Sequence, residues 1–558
     1  MSEPAVKLEN VSFTYAGRNA PTLKSIDLTV PKGQFVLLTG PTGCGKSTLL
    51  KLLNGIIPHA SSGSLTGRVF ISGCHTLEYS IAELSELAGL VFQSPDEQIF
   101  TTVVEDETAF GPENLAVPAA EITERITESL AAVGMSEFSK AKTNDLSGGQ
   151  KQRVVIAAVK AMKSHILVLD EPVSQLDPSG AHEVLQTIES MKQQWGLTII
   201  LVEHRIHEVV HFADRLIIMD KGEIVLDEPV REALKNSGLF LKYGLRLPQL
   251  ADIAYRLNLP AALSVDELAA AISEKRLSVR PKINYNLPEK SSRRIVEAVQ
   301  VFAGYQKNKA PVLQGVSFYF NQGEIVALMG NNGAGKSTLL KNLIGILKPC
   351  AGKLTVLGEE SGSFDPLSLA GKVGLVLQNP DLMLFCESVE KEILFGLNNL
   401  KFPLAVKKER LRKIMSEMKL EELKNDFPLA LSRGQRLRVA VASVLALEPQ
   451  LLLLDEPTTG QDKQHIEAMM QSLQSYVQEG GTLFFCTHDG ETALEYADRL
   501  IIMHNGQVLA NGRPEALFGD AALLHKAGLK APPALLLSQK LGVEPIYMPR
   551  EVERWTLE

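Results

Sequence analysis

Hydrophobic positions along the chain fall into two patterns. Short apolar runs at Gln34–Thr39, Ile166–Leu169 and Thr198–Val202 are matched later by Glu324–Met329, Leu451–Leu454 and Thr482–Cys486. Runs of this length read as buried strands. Longer helical patterns stand between them, and two of these, Ser47–Leu53 and Ser337–Leu343, begin directly after a glycine-rich turn. Strand, turn and helix in alternation predict an α/β fold with a mainly parallel sheet flanked by helices. The apolar runs fall far short of the roughly 20 residues that span a bilayer. Work at a membrane would therefore need another chain to cross it.

The pattern is written twice. Gly40-Pro41-Thr42-Gly43-Cys44-Gly45-Lys46-Ser47-Thr48 returns as Gly330-Asn331-Asn332-Gly333-Ala334-Gly335-Lys336-Ser337-Thr338. Leu146-Ser147-Gly148-Gly149-Gln150 returns as Leu431-Ser432-Arg433-Gly434-Gln435, and the Asp170-Glu171-Pro172 strand end as Asp455-Glu456-Pro457. His204 after the Thr198–Val202 run is answered by His488. The order is conserved between the halves at an offset of roughly 285–290 residues, so the chain is a tandem duplication. We expect two P-loop domains at 5–235 and 293–520. Each is expected to carry a small leucine-rich helical appendage, at 236–275 and 521–550, with a linker of mixed charge at 276–292.

The chain's 558 residues leave room for a core in each half. Hydrophobic residues make up 45% and charged residues 22%, ordinary globular values, with a formal net charge of -8. That acidic balance argues against a nucleic-acid partner. The five cysteines are scattered, odd in number and in no metal-ligand spacing, which fits a reducing compartment. The Met1-Ser2-Glu3-Pro4 start has no basic region followed by an apolar stretch, so no signal peptide is expected.

The chemistry begins with the doubled G-x-x-x-x-G-K-[ST] pattern, which after a strand and before a helix is a phosphate-binding loop. Its glycines turn backbone N–H groups toward phosphate oxygens, and the following helix adds its positive end. Lys46 and Lys336 are placed to reach the β- and γ-phosphates of ATP, and Ser47 and Ser337 to ligate Mg²⁺. Asp170 and Asp455 end apolar strands, where a carboxylate can meet the Mg²⁺ shell. Glu171 and Glu456 follow at once, each placed to polarise an attacking water.

With these motifs the chain resembles ABC-type ATPases over nearly its whole length, and Leu146–Gln150 resembles that family's signature motif. The resemblance implies two cassettes closing head to tail around two ATP molecules. One site would join Lys46, Ser47, Asp170, Glu171 and His204 to Ser432, Gly434 and Gln435; the other would join Lys336, Ser337, Asp455, Glu456 and His488 to Ser147, Gly149 and Gln150. It further implies that His204 and His488 sense the γ-phosphate, and that Gln93 and Gln378 touch Mg²⁺ and the water. Tyr15 and Tyr305 would stack on adenine, and Asp177 and Asp462 would communicate between sites. Arg433 departs from the pattern, standing where glycine is usual. The Lys46 site is expected to hydrolyse ATP nonetheless, but less reliably than its partner.

The stretch after each glutamine narrows the resemblance. Gln93-Ser94-Pro95-Asp96-Glu97-Gln98-Ile99-Phe100 and Gln378-Asn379-Pro380-Asp381-Leu382-Met383-Leu384-Phe385, each followed by a Phe–Gly pair, resemble the ATPases of energy-coupling factor transporters. Those are bacterial and archaeal importers of vitamins and transition-metal ions. The resemblance implies a peripheral subunit on the cytoplasmic face of the cell membrane. Its partners would be an integral-membrane coupling subunit and a substrate-binding membrane subunit. Two rivals stay open at this point: a soluble ABC-F-type translation factor and a tandem sugar-importer ATPase. The short mixed linker and acidic chain disfavour the first, and the intact Glu456 and His488 disfavour the second.

Overall fold

The computed structural model describes residues 3–174, 176–275, 277–280, 291–306, 310–360 and 368–557. The chain forms two compact units, Met1–Ser264 and Val265–Glu558.

The first unit is built on a six-stranded sheet. Its strands lie in the order Glu223–Pro229, Arg215–Asp220, Phe35–Thr39, Thr198–Val202, Ile166–Asp170 and Ala88–Val91. Every pair is parallel except the Glu223–Pro229 edge. The second unit repeats the order with Gln507–Gly512, Arg499–His504, Ile325–Met329, Thr482–Cys486, Leu451–Asp455 and Val373–Val376, again with one antiparallel edge. The expected α/β architecture with its mainly parallel sheet is therefore present in both halves.

Both faces of each sheet are covered, which explains why these strands read as unbroken apolar runs. Leu37, Leu169, Ile199 and Leu201 enter one core, while their neighbours Leu38, Val168, Ile200 and Val202 enter another. In the second unit Leu452, Leu454, Leu483 and Phe485 face one way and Leu451, Leu453, Phe484 and Cys486 the other. Register then fixes the chemistry. Asp170 comes level with Val202, and Asp455 with Cys486, so the strand ends that carry Asp–Glu and histidine lie side by side.

Each unit adds a four-stranded antiparallel sheet, with Leu23–Val30, Val6–Tyr15, Gly63–Ile71 and Cys74–His75 in the first. Its counterpart is Leu313–Asn321, Arg294–Ala303, Ala351–Val356 and Glu359–Glu360. Helices Val104–Asn114, Ala119–Ala132 and Gly148–Ala161 form a helical region, matched by Val389–Asn399, Leu404–Glu417 and Arg433–Leu445. Short helices follow each large sheet: Ser237–Lys242 and Gln249–Arg256 in one unit, Ala521–Ala527 and Pro533–Leu541 in the other.

The unit boundary falls inside the segment 236–275. Helix Val265–Ser273 packs on Pro533–Leu541, with an Asp266–Lys540 ion pair, and Leu277–Val279 pairs antiparallel with Trp555–Leu557. Of the expected linker at 276–292, positions 276 and 281–290 lie outside the described residues. Among the described residues no helix is long and apolar enough to cross a membrane.

Candidate functional site

In each half the phosphate loop leaves the sheet between the same neighbours. Gly40 has φ 150°, and a Cβ there would sit 2.2 Å from the Met219 carbonyl oxygen; at Gly330 the Met503 carbonyl would be 2.3 Å away. No side chain fits, so glycine is required where the loop turns. Helices Lys46–Leu53 and Lys336–Leu343 follow immediately and direct their N-terminal N–H groups into the turn.

Both lysines are buried, and an ammonium in that position needs acceptors. Lys46 Nζ donates to the carbonyls of Gly40 at 2.8 Å and Pro41 at 3.0 Å. Lys336 Nζ donates to Gly330 at 2.7 Å and Asn331 at 3.4 Å, and lies 3.2 Å from His488 Nε2.

The strand-end carboxylates surround these lysines. Ser337 Oγ donates to Asp455 Oδ2 at 3.0 Å, and Ser47 bonds likewise to Asp170. Burial, together with the neighbouring Glu171 charge, pushes the Asp170 carboxyl up to about 6; burial raises Asp455 as well. A hydroxyl, a carboxylate and a nearby amide are hard oxygen donors that suit Mg²⁺ completed by phosphate oxygens. Among the described residues no three His, Cys, Asp or Glu side chains form a metal cage of their own.

Glu171 and Glu456 take left-handed φ values of 49° and 52°. Such backbone costs about 1–3 kcal/mol for a non-glycine residue and persists where surrounding structure enforces it. Here it delivers each carboxylate to its histidine: His204 Nε2 stands 3.1 Å from Glu171 Oε1, and His488 Nε2 2.9 Å from Glu456 Oε1. Burial alone would raise Glu456, but His488, reinforced by Lys336 at 3.9 Å, holds it below the usual carboxylate range. Gln93 Nε2 donates to Glu171 Oε2 at 2.7 Å. Gln378 stands exposed instead, with no bond to Glu456 among the described residues.

The tyrosines end beside the loops, Tyr15 Oη 3.2 Å from Thr48 Oγ1 and Tyr305 Oη 3.3 Å from Thr338 Oγ1. Next to Gly43 a groove of about 470 Å³ is lined by Arg18, Thr22, Lys24 and Lys221, a cationic wall large enough for a nucleotide. Ser147 and Gln150 cap one another at the start of helix Gly148–Ala161, as Ser432 and Gln435 do for Arg433–Leu445. Both serines are exposed at the positive end of a long helix. Gly149 and Gly434 lie in the first turns of these helices, and Arg433 occupies a first helical position without disturbing the cap. Asp177 and Asp462 are N-caps, accepting from Gly180 N at 2.8 Å and His465 N at 3.0 Å.

Sequence reasoning missed three contributors. Glu203, buried beside His204, accepts the His204 N–H at 2.8 Å, and burial raises its carboxyl. Glu107, also buried, takes the backbone N–H groups of Phe100 and Thr101 at 3.0 and 2.8 Å. Glu392 does the same for Phe385 and Cys386 at 2.9 and 2.8 Å. The signal was available, since both glutamates occupy the same place in the repeat, three residues after the first residue of a helix. The loops they hold present aromatic pairs to solvent: Phe100, 73% exposed, stacks on Phe110, and Phe385, 61% exposed, meets Phe395 edge to face. Asp96 pairs with Lys151 at 2.6 Å and Asp381 with Arg436 at 2.8 Å, while Glu97 is exposed. Phe100, Phe385 and Leu382 are the exposed apolar side chains of these segments.

Comparison with known proteins agrees with this geometry. A family model described as "ABC transporter" matches residues 23–174 and again 313–459. A protein from Methanosarcina mazei, provisionally named an ABC transporter ATP-binding protein, is 47% identical over 97% of this chain and 94% of its own length. The provisionally named HMP/thiamine import ATP-binding protein YkoD of Bacillus subtilis is 32% identical over 94% of both chains. Among solved structures, cbiO1 from Clostridium perfringens, described as part of the ABC transporter complex cbiONQ, is 33% identical. It covers 42% of this chain and 94% of its own, with a TM-score of 0.39.

Proposed function

Since the chain belongs to the ABC transporter family, whose ATP-binding members hydrolyse ATP, we propose that it energises micronutrient import by an energy-coupling-factor-type transporter. The observation that carries this reading is the doubled segment after Gln93 and Gln378. In each half a buried glutamate holds a loop that shows an exposed aromatic pair. Exposed aromatic clusters of this kind mark partner surfaces. The segment starts at the residue bonded to Glu171 and reaches the signature helix through Asp96–Lys151, so events at the nucleotide can reach the partner surface. Similarity to a relative named for HMP/thiamine import supports a B vitamin or related small nutrient as cargo, with a transition-metal ion as the other candidate.

In this reading the chain is peripheral on the cytoplasmic face of the membrane. An integral-membrane coupling subunit and a substrate-binding membrane subunit are its partners. Residues 5–235 and 293–520 are the two nucleotide-binding domains, and 236–275 and 521–550 their appendages. The two phosphate loops, Gly40–Thr48 and Gly330–Thr338, hold ATP, with Tyr15 and Tyr305 at the base and the signature residues Ser147, Gly149, Gln150, Ser432, Gly434 and Gln435 completing the nucleotide contacts. Ser47, Gln93 and Asp170 would hold one Mg²⁺, and Ser337, Gln378 and Asp455 another. The ion supplies charge neutralisation across the phosphate oxygens. Glu171 and Glu456 accept the proton of the water whose oxygen bonds to the γ-phosphorus as its bond to the bridging oxygen breaks. His204 and His488, hydrogen-bonded to those carboxylates, orient them and report the γ-phosphate. ATP prefers the closed state and its products do not; driving such a switch from mostly open to mostly closed needs about 5 kcal/mol.

The test is uptake of labelled thiamine, its pyrimidine precursor or Co²⁺ by cells carrying the wild-type chain or the Glu171→Gln/Glu456→Gln double variant. Loss of uptake of one of these nutrients in the double variant is expected. Equal uptake of all of them by both strains would overturn the proposal.

A further inference from the structure

The phosphate loop of the second half is braced from outside the sheet. Gly528 ends helix Ala521–Ala527 in the left-handed conformation, φ 66° and ψ 28°. The Asn331 side chain lies directly over it. A Cβ on Gly528 would come within 2.4 Å of Asn331 Nδ2 and 3.2 Å of its Cγ and Oδ1. Asn331 Oδ1 is buried with no hydrogen-bond partner, so packing against Gly528 helps to place the amide. Its main chain does the loop's work: the Asn331 carbonyl accepts from Ala334 N at 3.1 Å and from Lys336 Nζ at 3.4 Å. On the other side of the loop, Gly330 is already pressed against the Met503 carbonyl. A side chain at either glycine would therefore meet the loop or its support at close range.

The helix just before this appendage, Pro514–Phe518, touches the histidine turn. The buried Phe518 ring lies 3.1 Å from where a Cβ would stand on Gly490, two residues after His488. Phe518, Leu524, Ala527 and Leu529 share a core with Met329, the residue that leads into the phosphate loop. The first half has Pro41 in place of Asn331 and so lacks the amide that this contact uses.

We propose that Gly528 is a positioning residue for the second nucleotide site, and that through it the C-terminal appendage sets the affinity of that site for ATP. The absence of a side chain at Gly528 leaves Asn331 in place, and Asn331 holds the carbonyl that orients Lys336. A shift of the appendage therefore becomes a shift of the phosphate loop. This rests on the reading of Gly330–Thr338 as the loop that holds ATP.

A matched control exists within the same unit. Gly542 ends helix Pro533–Leu541 at φ 66° and ψ 28° too, but no heavy atom lies within 4 Å of its Cβ position. Gly542→Ala thus carries the backbone strain of Gly528→Ala without the collision. The full chain is titrated with 8-azido-ATP, and labelled peptides near Tyr15 and Tyr305 are quantified separately by mass spectrometry. Gly528→Ala is expected to raise the half-saturating concentration at the second site at least about threefold, because the loop would occupy its binding form only part of the time. The first site stays unchanged, and Gly542→Ala changes neither. Adding Asn331→Ala to Gly528→Ala returns the second site to the value of Asn331→Ala alone. Should Gly528→Ala fail to fold, Asn331→Gln with Gly528 intact presses the same contact from the other side and is expected to weaken the second site alone. Equal labelling by Gly528→Ala and Gly542→Ala, failure of Asn331→Ala to suppress, or unchanged labelling by Asn331→Gln would each overturn the proposal. Unchanged second-site labelling in Lys336→Ala would instead overturn the reading of the loop itself.

Discussion

At the scale of single residues, each half holds a glutamate in strained backbone within 3.1 Å of a histidine. A positioned general base contributes about 10²–10⁴-fold, so Glu171→Gln and Glu456→Gln should each lower the turnover contributed by its own site by that factor while ATP still binds. Phosphate release and nucleotide retention, measured on the same preparation, check both halves of that statement. The sequence made the lysines, carboxylates and histidines legible because each occurs twice in one order. It could not show that Gln93 reaches Glu171 while Gln378 stands exposed, since both sit at the same place in the repeated motif. Nor could it show Glu203, whose counterpart Thr487 uses a hydroxyl to accept the Asp489 N–H at 3.0 Å.

At the scale of elements, the parallel strands were legible because burial on both faces removes polar residues from them. The antiparallel sheet was not. Its longest strands carry register shifts next to Asn10 and Gln300, both at positive φ, and each shift interrupts the period-two alternation. The glutamates under the aromatic loops define another element whose role packing alone reveals. Glu392→Ala leaves two loop N–H groups without their acceptor and should cost about 1–3 kcal/mol. Thermal unfolding is expected to fall by a few degrees, and the variant should recruit membrane partners less well with its phosphate loop intact. In the sheet, Phe484→Ala removes a fully buried ring and should cost about 3–5 kcal/mol, read from denaturant unfolding.

At the scale of the whole molecule, duplication supplies two sets of phosphate loop, strand-end aspartate and glutamate–histidine pair in one chain. Hydrolysis should therefore vanish in the Glu171→Gln/Glu456→Gln double variant and on removal of Mg²⁺ with a chelator. Single-turnover hydrolysis should survive in Glu456→Gln alone, because Arg433 leaves its helix cap intact. In the proposed function this pair of sites drives a membrane partner through the aromatic surfaces of Phe100 and Phe385. The most direct test of that function is affinity purification of the tagged double variant, with ATP bound, from detergent-solubilised membranes of the cells that make it. Stoichiometric recovery of integral-membrane proteins is expected, and it should be lost when Phe100 and Phe385 are both changed to Ser. Recovery of ribosomes with no membrane protein would contradict it.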